Sequence, residues 1–177
     1  MSIEWFDPST IEGANEKWLV KFNAGDYKGN SKEDIESWMK AMVELYSIAQ
    51  KDEQEDYDLE MDYDKIIDDE VYQLGSIAIF IEVRGSDLKF VHYLIEDEYK
   101  IGKYEGPWNN ILRELNVNKR IKLEMIPDVL ERLMGGHTNT KSFLTAGILT
   151  IDGDIRAFHL LLEIITYYYE DNGILIE

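Results

Sequence analysis

His92, His137 and His159 are the first side chains to weigh for chemistry, because imidazole is the commonest general base and metal ligand near neutral pH. No two of them form an H-x-x-x-H pair, and a chain without cysteine has no thiolate zinc spacing. His159 and Glu163 are four residues apart, where a base and its orienting carboxylate could meet on one helix face. At that spacing a solvated side-chain pair is the ordinary meaning. Ser142 lacks the G-x-S-x-G setting that strains a nucleophilic serine. The run G-G-H-T-N-T-K lacks the G-K-[ST] ending of a phosphate loop. Asp58, Glu60, Asp62 and Asp64 are spaced like the start of a calcium loop, but the sixth position holds Tyr63 where the sharp turn needs glycine. The sequence therefore predicts a protein that is not an enzyme and uses neither cofactor nor metal.

Composition narrows the partners. Acids outnumber bases 36 to 18, a net charge of −18, so a phosphate backbone would be repelled and nucleic acid is excluded as a partner. With no cysteine, disulfide scaffolds, iron–sulfur clusters and cysteine nucleophiles are closed. A length of 177 residues suits one domain with an appendage, large enough to bury roughly 70% of its unfolded surface without a staple. The opening M-S-I-E-W-F-D-P has no basic segment leading into an apolar run, so no secretory leader is expected. No stretch approaches the ~20 apolar residues that cross a bilayer. A cytoplasmic protein is the expectation.

The elements that would position any site follow from periodicity. Trp18, Leu19 and Phe22 mark a short helical face, and Ser31 is a good N-cap with Asp34 three residues on. Ile35, Trp38, Met39, Met42, Leu45, Tyr46 and Ala49 then recur at helical spacing, forming an amphipathic helix whose stripe must be covered. Residues 52–70 are an acidic run that reads as a linker. From Ile77 the period becomes two: Ile77, Ile79, Ile81 and Val83 alternate, Gly85-Ser86 turns the chain, and Leu88, Phe90, His92 and Leu94 alternate back. E-Y-K-I-G-K-Y continues as a strand. P-W-N-N-I-L-R-E-L is a short helix, R-I-K-L-E-M a strand, P-D-V-L-E-R-L-M a helix closed by Gly135-Gly136, and G-I-L-T-I-D a strand.

The closing helix, starting at Ile155 after the cap Asp154, is the most informative. Its polar residues Arg156, His159, Glu163, Thr166 and Glu170 step by three and four, so they form one narrow stripe, and the rest of the circumference is apolar or aromatic. A helix packed on a single sheet needs an apolar face of little more than ~100°. The excess must be covered by another helix of the chain, a partner subunit or an apolar ligand.

The run from Pro127 to Phe158 resembles the C-terminal signature of the sterol-carrier-protein type 2 family. The matching positions are Leu130, Leu133, Gly135 or Gly136, Phe143, Gly147, Leu149, Ile151, Gly153 and Asp154, followed by the long apolar helix. The resemblance covers roughly residues 65–172, and the preceding hairpins fit the family's strand order. Ile148 stands where family members usually have lysine, and the spacing from Phe143 to Gly147 is one residue long. The resemblance implies an α+β fold: a five-stranded, mostly antiparallel sheet with helices on one face, enclosing an elongated apolar tunnel. Residues 1–51 would be a helical extension, 52–70 the acidic linker and 71–177 the lipid-binding domain.

That fold implies non-catalytic carriage of a hydrophobic small molecule: a fatty acid, an acyl chain or a sterol-like lipid. Facing elements give the candidate lining as Ile79, Ile81, Phe90, Trp108, Met125, Leu130, Leu133, Phe143, Leu161, Ile165 and Tyr168. Each methylene moved from water into such a cavity gives about 0.8 kcal/mol. The acidity predicts no stable membrane insertion, since anionic lipid attracts lysines. Ligand exchange would then occur in solution or through a partner enzyme. The alternative is an accessory module, docking its apolar C-terminal helix on a homodimer mate or a partner enzyme.

Overall fold

The computed structural model describes residues 3–55, 75–95 and 98–175, except the side chains of 47–55. It is an α+β fold. The described elements run β1 (Ile3–Trp5), α1 (Pro8–Ile11), α2 (Ala14–Ala24), α3 (Lys32–Glu55), β2 (Ile77–Val83), β3 (Lys89–Ile95) and β4 (Glu98–Tyr104). They continue with α4 (Trp108–Glu114), β5 (Lys119–Met125), α5 (Pro127–Met134), α6 (Lys141–Thr145), β6 (Leu149–Gly153) and α7 (Ile155–Asp171). The acidic run, with its calcium-like spacing, falls from residue 56 onward outside the described residues.

The strands form one six-stranded sheet in the order β1-β4-β3-β2-β5-β6. The pairings are antiparallel except that of β2 with β5, which is parallel, so the sheet is mixed. It differs from the expected five strands by β1, a three-residue edge strand too short for an alternation pattern to show. The hairpin β2–β3 needs only the short turn at Gly85, whose φ of 76° is open to glycine. The parallel partner β5 has to be reached by a crossover. That crossover carries α4 across the back of the sheet, where Ile111 and Trp108 cover Ala78, Phe80, Val91 and Tyr104. Helices therefore lie on both faces, not one. The physical reason is in β2: IAIFIEV is apolar on both sides, so both sides need cover.

The main core lies on the other face. Ile77, Ile79, Ile81, Phe90, Leu94, Ile101, Ile121 and Leu123 project from the sheet against α2, α3, α5 and α7. Ser31 caps α3 as expected, accepting from the Asp34 backbone N–H at 3.2 Å. The Asp34 carboxylate accepts from Lys21 Nζ at 2.6 Å and from the Lys28 N–H at 3.0 Å, closing the α2–α3 corner. Ile35, Trp38, Met39, Met42 and Tyr46 of α3 are all buried in the main core with Trp18 of α2, so these two helices share one hydrophobic core with the sheet. Gly153 sets the start of α7: its φ is 134°, and a Cβ there would stand 2.4 Å from the Arg120 carbonyl oxygen. Asp154 then caps α7, accepting from the Arg156 N–H at 3.0 Å.

If α3 is integral in this way, Trp38→Ala should cost about 3–5 kcal/mol, the range for truncating a buried large aromatic. Urea unfolding of the whole chain measures it, and a loss under 1 kcal/mol would mark α3 as a detachable appendage.

Candidate functional site

The predicted lining residues are brought together, with one exception. Ile79 and Ile81 on β2, Phe90 on β3, Met125 on β5, Leu130 and Leu133 on α5, and Leu161, Ile165 and Tyr168 on α7 all belong to the main core and are fully buried. Phe143 on α6 packs half-buried at its margin beneath Arg132, whose guanidinium carbon is 5.9 Å from the ring centroid. Trp108 lies on the opposite face of the sheet, edge-on to Phe80 at 5.5 Å. Its helix belongs to the crossover, which sequence spacing alone does not assign to a face.

The broad apolar face of α7 is covered from within the chain. Sheet residues take one flank, and α3 and α2 take another. Phe22 packs on Tyr169 with ring centroids 4.9 Å apart, and Trp18 Nε1 donates to the Tyr169 hydroxyl at 3.3 Å. That hydroxyl donates in turn to the Met134 carbonyl, and the Tyr168 hydroxyl donates to Asn15 Oδ1 at 2.5 Å. Two tyrosines thus fasten the end of α7 to α2 and α5, and burial pushes both hydroxyls above their ordinary pKa. On α7 itself, Ile155 is the large apolar side chain left exposed, at 47%.

Two clefts border this core. One, of about 780 Å³, lies between α1, α3 and β4 and is lined by Trp5, Phe6, Ile11, Val43, Tyr99 and Ile101, with Glu12, Glu44, Glu98 and Lys100 around it. Its polar groups are largely engaged. Glu44 accepts the N–H groups of Gly13 and Asn15 at the start of α2, and Lys100 pairs with Glu98 at 3.1 Å while lying 5.4 Å from the Trp5 ring centroid. The second cleft, of about 790 Å³, is lined by Lys32, Lys89 and Lys103 against Glu4, Asp87 and Glu105, with Leu88 and Phe90 as its apolar part. Lys103 is paired with Glu36 at 2.9 Å, and Lys89 donates to the Gly106 carbonyl at 2.9 Å. This cleft is polar and charge-balanced.

Behind the first cleft sits a feature that sequence reading placed on the core face but gave no role. His92 is fully buried, and its Nδ1 is 2.7 Å from the Tyr99 hydroxyl. Among the described residues its Nε2 has no hydrogen-bond partner. A buried polar atom left this way costs about 1–3 kcal/mol. The signal was available in the alternation of β3, which puts a histidine between Phe90 and Leu94 on an otherwise apolar face. His137, His159 and Ser142 are at the surface, and among the described residues no cluster of three His, Asp or Glu could hold a metal.

Burial pushes the His92 imidazole from its ordinary 6.5 down to about 3. Above pH 6.5 the ring is neutral whether the chain is folded or unfolded, and it adds no pH dependence. Below pH 6.5 the unfolded chain takes up the proton and the folded chain does not, until about pH 3, so this residue makes stability fall as pH is lowered across that window. Urea melts of wild type and His92→Phe should therefore diverge in favour of the variant by about 2 kcal/mol more at pH 5 than at pH 7. Curves that stay parallel would contradict the buried, neutral ring.

No family model, no curated protein and no solved structure matches this chain.

Proposed function

We propose that this protein is a non-catalytic carrier that holds a hydrophobic ligand, of fatty-acid, acyl-chain or sterol-like kind, between its sheet and its main helical layer. The observation that carries this reading is the cleft beside β4. Three of its lining residues, Val43, Tyr99 and Ile101, are themselves members of the main core. A ligand seated there meets core side chains directly and need cross no polar layer to go deeper. Its volume of about 780 Å³ falls within the usual range for small-molecule sites, about 300–1,000 Å³, and its lining is mostly apolar and aromatic, as such sites are.

The tunnel implied by the sterol-carrier resemblance would be the inward continuation of this cleft past Tyr99. The side chains on that path pack against one another, so ligand entry would exchange one set of apolar contacts for another. The driving force is the ligand's own transfer from water, about 0.8 kcal/mol per methylene, less the cost of association and of moving those side chains. The order of strands and helices from β2 to α7 supports the reading, as it is the order the resemblance implies. Glu12 and Glu98 at the rim and a chain charge of −18 argue against docking on anionic membranes. The ligand is exchanged in cytoplasmic solution or handed over by a partner enzyme.

Titration with a fluorescent fatty acid should show saturable uptake at one site per chain. Ile11→Glu, which places a charge in the cleft at a half-buried position outside the sheet, should weaken that uptake at least about tenfold and leave the melting temperature within a few degrees. Uptake that never saturates, or that ignores this substitution, would contradict the assignment.

A further inference from the structure

His92 stands in mid-strand, opposite Ile79 on β2 and Ile101 on β4, with its ring on the face that packs against the helices. Tyr99 fixes one ring nitrogen. The bonding directions of the two imidazole nitrogens diverge widely, so Nε2 is directed away from the tyrosine hydroxyl. It is a fixed polar atom inside an apolar layer, and among the described residues nothing satisfies it.

Resting on the carrier reading above, we infer that the ligand bears one uncharged hydroxyl group and that His92 Nε2 is the atom that binds it. Charge excludes a carboxylate at this point. The buried polar and charged residues among those described are Asp34, His92 and Thr140, so no lysine or arginine lies in the interior to compensate an anion. A buried carboxylate beside a neutral imidazole would be an unpaired charge in low dielectric, which proteins avoid. Tautomer chemistry then selects among the neutral groups. If Nδ1 donates to Tyr99, Nε2 is an acceptor; if the tyrosine hydroxyl donates to Nδ1, Nε2 carries the hydrogen. A hydroxyl both donates and accepts, so it satisfies Nε2 in either tautomer, whereas an ester or ketone carbonyl serves only one. Tyr99 lines the cleft, and its hydroxyl is bonded to the other nitrogen of the same ring. It is thus a positioning residue: its hydroxyl sets the orientation and tautomer of the imidazole.

The test uses the full chain and three probes of equal length: 1-dodecanol, dodecane and dodecanoate, each competed against a fluorescent apolar probe at pH 8. Wild type should bind the alcohol at least about tenfold more tightly than the alkane and should bind the carboxylate no better than the alkane. In His92→Phe the alcohol and the alkane should come within about twofold of each other, with alkane binding retained. A preference for the alcohol that survives His92→Phe, its absence from wild type, or tightest binding of the carboxylate would each overturn the inference while leaving the carrier reading standing. Failure of alcohol and alkane alike to compete would overturn both. Should His92→Phe fail to fold, nitrogen NMR of the wild-type histidines decides the matter. Addition of 1-dodecanol should shift the His92 Nε2 resonance well beyond that of Nδ1, and an unmoved Nε2 would overturn the inference.

Discussion

Helix α7 must be kept from water over more than the one side a sheet can cover, and the architecture follows from that need. A sheet can cover one side of a helix. Here β2 and β5 provide that side, and the remainder is closed by α2, α3 and α5, which reach the helix through Trp18, Phe22, Trp38 and Met134. Of the three covers that the sequence allowed, the chain's own helices are the one seen among the described residues. This makes helices α2 and α3 part of the same core as the sheet and α7 rather than an addition to it. The large apolar side chains exposed among the described residues, Val20, Leu144, Ile155 and Leu175, are scattered over different segments.

The same constraint shapes the interior. A layer that excludes water so fully has few places for a polar atom, and the His92–Tyr99 pair occupies one of them. Desolvation holds the histidine neutral and the tyrosine protonated, so the pair brings no charge into the core. It brings direction instead. Apolar packing places a chain or ring system loosely, because the hydrophobic effect has no preferred orientation. One fixed hydrogen-bonding atom gives such a ligand an end. On the proposed reading, the cleft beside Tyr99 would supply the approach.

Much of this was legible in the residues. The period-two runs located β2 to β6, Ser31 and Asp154 marked the helix starts they cap, and the stripe from Arg156 to Glu170 showed that α7 needs cover on more than one side. Three things were not legible, each for a physical reason. Strand β1 has three residues, too few for a period, and joins the sheet only because β4 offers an open edge. Trp108 sits on the back face because the β4-to-β5 connection must cross the sheet to reach a parallel partner, a consequence of topology that no local pattern carries. The clefts are made by elements distant in sequence, with Phe6, Val43 and Tyr99 meeting only once the sheet edge and α3 are in place. Ten of the eleven residues named as lining share the main core, Trp108 lies on the other face, and the unpartnered Nε2 of His92 was passed over.

The central proposal is that the layer between sheet and helices can take in a greasy molecule carrying a single neutral oxygen. Mass spectrometry under native conditions, on protein purified gently without organic solvent and then dissociated in the gas phase, tests it most directly. The account predicts a population heavier than the bare chain by one non-covalent molecule, released on activation and identified by accurate mass as a long-chain or polycyclic alcohol. Bare chain throughout, even after incubation with an excess of such an alcohol, would contradict it.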